Sequence, residues 1–108
     1  MPRPTPNPHP SPLLELTRAG ALLSTPLERL SGLSVIAHCG DVDCPPPRPI
    51  PVADVAAVRR GARVADVAHT FRCTACGRLA QNVSLREDRA EGGWILQPIA
   101  APAAGAVQ

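Results

Sequence analysis

HCGDVDC, residues 38 to 44, holds two cysteines with four residues between them, and TFRCTACGR, residues 70 to 78, holds two more in the tighter CxxC spacing. The whole pattern is CxxxxC, 28 intervening residues, then CxxCG, at Cys39, Cys44, Cys73 and Cys76. Each short spacing can close a tight turn that aims two sulfurs into one concavity, and Gly77 permits the left-handed backbone such a knuckle needs. Two knuckles face to face make a tetrahedron of thiolates, the arrangement zinc prefers. A closed set of four leaves no open position for water or substrate, so one structural zinc ion per chain is the expectation.

Three rival chemistries use cysteine pairs. A thioredoxin-like CxxC opens a helix after a strand, whereas RCTACGRLAQNVSL reads as strand, knuckle, strand, and a redox pair would leave Cys39 and Cys44 unexplained. Disulfides need an oxidising compartment. Residues 1 to 12 lack the apolar run of a secretory signal, and no stretch approaches the roughly 18 apolar residues of a membrane span, so the expected compartment is the cytoplasm, where thiols stay reduced. Iron is the third rival, with zinc the commoner occupant of such ribbons. His38 and His69 are expected to support the site or lie on the surface rather than replace a cysteine. Asp41 and Asp43 are expected to serve the turn of the first knuckle.

Composition explains why a metal would be needed. The chain has 108 residues, room for one domain at most, and so small a chain buries a limited fraction of its surface. Its aromatics are Phe71 and Trp94 alone, with no tyrosine. Burial must come from Val, Leu, Ile and small alanines that each contribute little area, so an added cross-link is expected. The 11 basic residues are all arginine, against 9 acidic ones. With the wealth of alanine and proline, this reads as coding bias rather than selection for a guanidinium surface.

Outward from the knuckles the chain divides into four parts. Residues 1 to 12, with proline at every second position, form a disordered, polyproline-like arm. Residues 13 to 33 read as a helical lead-in, broken at Gly20 and restarted at Thr25, where TPLE offers an N-cap, a proline at the first helical position and Glu28 at the capping-box position. Residues 34 to 89 form the metal-binding domain. Within it SVIAHC is a strand, Ile50 and Val52 mark an edge strand, and VADVAAVRRG has the spacing of an amphipathic helix ending at Gly61, which ARVADVAH extends. HTFRC and LAQNVSLRE are expected to pair as a hairpin across CTACG. Residues 90 to 108 are a mostly disordered tail in which Trp94, Ile95 and Leu96 could dock back or anchor a partner. The fold class is therefore small α+β: a zinc ribbon with two cysteine knuckles, three short antiparallel strands and a short helical insert between disordered tails.

SVIAHCGDVDC, IPVADVAAVRRGARVADVAHTFRCTACGR and NVSLRED together resemble a group of small zinc-ribbon proteins of alphaproteobacteria, over about residues 27 to 89. The resemblance implies a zinc-ribbon fold, with Cys39, Cys44, Cys73 and Cys76 on the zinc ligands and Phe71, Arg72, Gly77 and Arg78 on the frame of the second knuckle. The first knuckle departs from the group's tighter CxxC and is followed by PPPRP.

A closed site of this kind is a platform, and function is expected on its surface. Nucleic acid, or the machinery that acts on it, is the first partner expected, through Arg59, Arg60, Arg63, Arg72 and Arg78. Residues 34 to 89 carry eight arginines and six acids, a surplus of two. A zinc centre with four thiolates, formally minus two, cancels that surplus, so clustering of the arginines matters more than their sum. Base-stacking platforms are limited to Phe71 and Trp94. The alternative is an adaptor or inhibitor, of the kind a mobile element encodes, that binds protein through the proline-rich arm, the leucine-rich lead-in or the WIL cluster. An enzyme is not expected: there is no open metal position, no nucleophile with its base and no glycine-rich phosphate loop.

Overall fold

The β-branched run SVIAH extends as β1 (Ser34–His38), with Val35 and Ala37 buried and the residues between them half-buried. A computed structural model of the chain describes residues 11 to 100. In it β1 lies between β2 (Ile50–Pro51) and β3 (Asn82–Asp88), and β4 (Trp94–Ala100) pairs with the far side of β3. All pairs are antiparallel, and the sheet order is β2-β1-β3-β4. Alternation puts Val35, Ala37, Val83, Leu85 and Glu87 on one face. Helices α1 (Pro12–Arg18), α2 (Val52–Val58) and α3 (Val64–Val67) and the 3-10 helix Leu27–Leu30 share one core with that face, through Leu13, Leu27, Leu30, Val52, Ala56, Val64 and Val67. The protein is thus a small α+β unit with one layer of helices on one face of a four-stranded sheet.

The sheet has four strands, not the three expected, and it pairs differently. HTFRC does not form a strand. Thr70 is still tied to the end of α3, its amide and hydroxyl both donating to the Val67 carbonyl, so the chain has only Phe71 and Arg72 in which to straighten before the knuckle begins. The expected hairpin shrinks to one bridge, Arg72 with Leu79, beside the Ala80 amide bonded to the Phe71 carbonyl. The third expected strand begins later, at Asn82, and pairs with β1 and β4 instead. Val83 and Leu85 reach the core as expected, while Leu79 and Gln81 stay exposed.

The expected tail is the second correction, because Trp94–Ala100 is β4, and of that tail residues 101 to 108 lie outside the described residues. Proline at position 98 is compatible with this strand because of where it falls in the ladder. Arg89 N–H donates to the Gly93 carbonyl at the hairpin end, and bonded and non-bonded pairs alternate from there. The Pro98 pair with Ser84 is then a non-bonded one, so its missing N–H faces the open edge, where no donor is needed. Beyond it the register slips, with Ile99 the extra residue of a bulge.

At the other end, Ser11 and Pro12 belong to the fold rather than to the arm, the rest of which lies outside the described residues. Ser11 caps α1, its Oγ accepting from Leu14 N–H at 3.0 Å, and Pro12 takes the first helical position. The same hydroxyl donates to Oε1 of Glu87, a buried carboxylate whose Oε2 pairs with Arg89 Nη1 at 3.2 Å.

The lead-in is helical in two short pieces, α1 and the 3-10 helix Leu27–Leu30, with Gly20 turning the chain after the first. After α1 ends, Leu23 to Leu27 run alongside Ala62 to Ala65, with Val64 N–H bonded to the Thr25 carbonyl and Leu27 N–H to the Ala62 carbonyl. The Thr25 hydroxyl donates back to the Ala21 carbonyl instead of capping, and Glu28 accepts from the Gly61 amide at 3.1 Å, which holds its carboxyl below the usual range. That hydrogen bond sits where the expected long helix divides. Gly61, at φ 78°, turns the chain through the left-handed region between α2 and α3. Val52 opens α2 rather than lying in the edge strand, and Val58 is 81% exposed.

Candidate metal centre

The first knuckle begins where β1 ends. Cys39 is buried, Gly40 turns the backbone at φ 91°, and the amide of Asp41 points back at Cys39 Sγ, 3.4 Å away. Asp41 Oδ1 accepts the Asp43 amide at 2.9 Å and its carbonyl accepts the Cys44 amide at 3.0 Å, so Asp41 does shape this turn as its residue type suggests. The second knuckle repeats the device. Ala75 N–H reaches Cys73 Sγ at 3.4 Å, Gly77 N–H donates to the Cys73 carbonyl at 2.8 Å, and Gly77 has φ 82°. In both knuckles a backbone donor two residues on faces the first sulfur.

Long-range pairing brings the knuckles together. β3 holds the chain after the second knuckle against β1, which leads into the first, and the Gln81 amide closes on the His38 carbonyl at 3.0 Å. Thr74 takes the Arg48 amide at 2.8 Å and so ties the proline-rich loop after Cys44 to the second knuckle. Neither Arg48 nor Thr74 carries a spacing signal in the sequence, since 26 positions separate them.

Four donors meet. The ligand atoms of His38, Cys39, Cys44 and Cys73 all lie within 4.8 Å of one another, compatible with a metal site, and Cys44 Sγ stands 3.7 Å from Cys73 Sγ. Cys76, expected in this group, is exposed and outside that set. It stays nearby, lining with Cys39 and Cys44 a cavity of about 300 Å³ that Asp41, Asp43 and Arg78 also border. His38, expected to support the site or lie on the surface rather than replace a cysteine, is among the donors, while His69 is exposed on the chain after α3.

The thiols are not equivalent. Burial pushes Cys44 up to about 12, reinforced by the neighbouring thiols of Cys73, Cys39 and Cys76. Burial also opposes charge on Cys73, but the backbone donors at Ala75, Cys76 and Cys39 outweigh it and bring this thiol down to about 6. The pair divides the labour, with the first proton leaving Cys73 and the negative sulfur then discouraging ionisation of Cys44. A cation placed among them would reverse that discouragement.

The arginines separate into two groups. Arg72 Nη1 donates to the Gly77 carbonyl at 3.2 Å, and Arg78 Nη1 reaches Asp41 Oδ2 at 3.5 Å, so both brace the knuckles. Arg59 and Arg60 follow α2 and Arg63 precedes α3. All three are exposed, and none takes part in an ion pair among the described residues. Phe71 packs on the core. Trp94 is 57% exposed on the face of the sheet opposite the helices, with the Arg86 guanidinium 4.4 Å from its ring centre and Leu96, 49% exposed, on the same face. Among the described residues no helix is long and apolar enough to cross a membrane.

No protein-family profile matches the chain, and no curated protein or solved structure matches it at a significant level.

Proposed function

We propose that this chain is a zinc-stabilised binding module with no reaction of its own, and that its partner is nucleic acid. The observation that carries the zinc reading is the spacing of the sulfurs. Ligands about 2.3 Å from a tetrahedral zinc stand about 3.8 Å apart, and Cys44 and Cys73 are 3.7 Å apart across the two knuckles. A thiol already ionised near neutral pH and two sulfurs facing backbone amides add to it, because the thiolate is the form that binds metal. A filled tetrahedron leaves no position for substrate, so the metal contributes stability rather than chemistry. The resemblance to small zinc-ribbon proteins agrees with this.

Nucleic acid is favoured by Arg59, Arg60 and Arg63, three exposed guanidinium groups within five positions, none in an ion pair among the described residues. A protein partner is the second reading, favoured by Trp94 and Leu96 side by side on the uncovered face of the sheet. Cytoplasmic residence follows from the reduced thiols this function needs.

Two measurements test the proposal. Wild-type protein purified under reducing conditions should carry one zinc, lost in Cys39→Ser and Cys73→Ser, and protein without metal would overturn the zinc reading. Binding to DNA or RNA should weaken with salt, and changing Arg59, Arg60 and Arg63 to alanine should reduce the log–log salt slope by about 3, one for each phosphate no longer neutralised. No binding at low salt would overturn the nucleic-acid reading and leave the protein partner.

A further inference from the structure

Cys39, Cys44 and Cys73 are each half-buried or buried, and two further donors stand beside them. His38 lies within the 4.8 Å cluster at the end of β1, and Cys76 lies exposed at the rim, lining one cavity with Cys39 and Cys44. A tetrahedral ion needs four donors, so one of the five is in excess. By distance His38 is the nearer fourth donor, and the knuckle pattern assigns residence to Cys76 instead, because Cys76 occupies the second position of its knuckle as Cys44 does in the other. His38 Nδ1 is meanwhile occupied, accepting the Gly40 amide at 3.0 Å.

That occupation is easily exchanged. Gly40 is exposed, so water can satisfy its amide if the ring turns to a metal, and the cost of freeing it is small. Cys76 by contrast is the donor that solvent and reagents reach first, through the cavity it lines. Resting on the zinc reading above, we propose that His38 is a reserve ligand: when the Cys76 thiolate leaves the metal, His38 takes the fourth position and the ion stays bound. The centre then tolerates chemistry at Cys76 that it would not tolerate at Cys39, Cys44 or Cys73.

The test compares zinc content after dialysis, with far-ultraviolet circular dichroism as the check on folding, in wild type, Cys76→Ser, His38→Ala, the double variant and Cys39→Ser. Cys76→Ser and His38→Ala should each keep one zinc, while the double variant and Cys39→Ser should lose it. With cobalt in place of zinc, the thiolate-to-metal charge-transfer band of Cys76→Ser should fall by about one quarter, one thiolate of four. Wild type that holds no zinc would overturn the metal reading itself. Wild type that holds zinc, with Cys76→Ser emptying as fully as Cys39→Ser or with the double variant still loaded, would overturn only the reserve role. Because a variant can lose metal simply by unfolding, a second measurement leaves the sequence unchanged. Zinc-loaded wild type treated with iodoacetamide, which forms a sulfur–carbon bond as iodide leaves, should be modified first at Cys76 with zinc retained in native mass spectra. Zinc loss coincident with that first modification would refute the proposal.

Discussion

Replacing Ser11 by alanine removes two interactions with one atom. Ser11 Oγ accepts the Leu14 amide at 3.0 Å as the cap of α1 and donates to Oε1 of Glu87, 76 positions away near the end of β3. Loss of a helix cap costs about 1 kcal/mol. Loss of a hydrogen bond to a buried charged group costs about 1.5 to 3 kcal/mol. Arg89 remains 3.2 Å from Oε2, so the carboxylate keeps a partner and the second cost falls toward its lower end. The expected total is about 2 to 3 kcal/mol, a large part of the stability of so small a domain. Urea denaturation at saturating zinc, followed by circular dichroism, measures it. A double-mutant cycle with Glu87→Gln should then give a coupling of about 1 kcal/mol or more, since the two residues share one bond. A destabilisation below about 0.5 kcal/mol with additive single effects would refute the idea that this hydrogen bond ties α1 to the sheet.

Two other outcomes follow from the site and the sheet edge. In metal-free, reduced protein, thiolate absorbance should rise first near pH 6 as Cys73 ionises, with one thiol still protonated above pH 10. Because the Cys73 pKa is depressed on folding, its contribution to stability is complete above the unfolded thiol's pKa of about 8.5 and is lost as pH falls through about 6. The raised Cys44 acts oppositely: its contribution is complete below about 8.5 and is lost as pH rises through about 12. Absence of any thiolate below about pH 8 would contradict the backbone donors assigned to Cys73. At the edge, Pro98→Val restores an N–H where β4 faces solvent and should increase self-association in sedimentation velocity as concentration rises. Unchanged association with a strengthened fold would mean that the backbone at residue 98 faces the ladder, where the restored N–H would add a bond to β3.

The elements legible in advance were those whose signal is local. SVIAH shows its strand through β-branched and apolar residues, and Gly77 supplies the positive φ that a tight cysteine turn requires. What was misread depends on partners far along the chain. β4 looked like a tail because its apolar residues follow two glycines and contain a proline, and only its register against β3 shows that Pro98 faces outward. Ser11 looked like part of the proline-rich arm because its acceptor, Glu87, lies in β3, most of the chain away. TPLE does open a helical turn, the 3-10 helix Leu27–Leu30, but its capping box does not form, because Glu28 answers the Gly61 amide, 33 positions away, and helps to divide α2 from α3.

The candidate metal centre divides the same way. The sequence alone determined that sulfur donors come in two turns, since spacing and a glycine decide where side chains point within a knuckle. Tertiary structure decided which donors meet. The distance between knuckles depends on the register of β1 against β3, and that pairing draws His38 in with Cys39, Cys44 and Cys73 while leaving Cys76 at the rim. Spacing along the chain carries no information about that choice, because the direction of a side chain is set within a few residues and the convergence of two turns is set by the sheet that joins them.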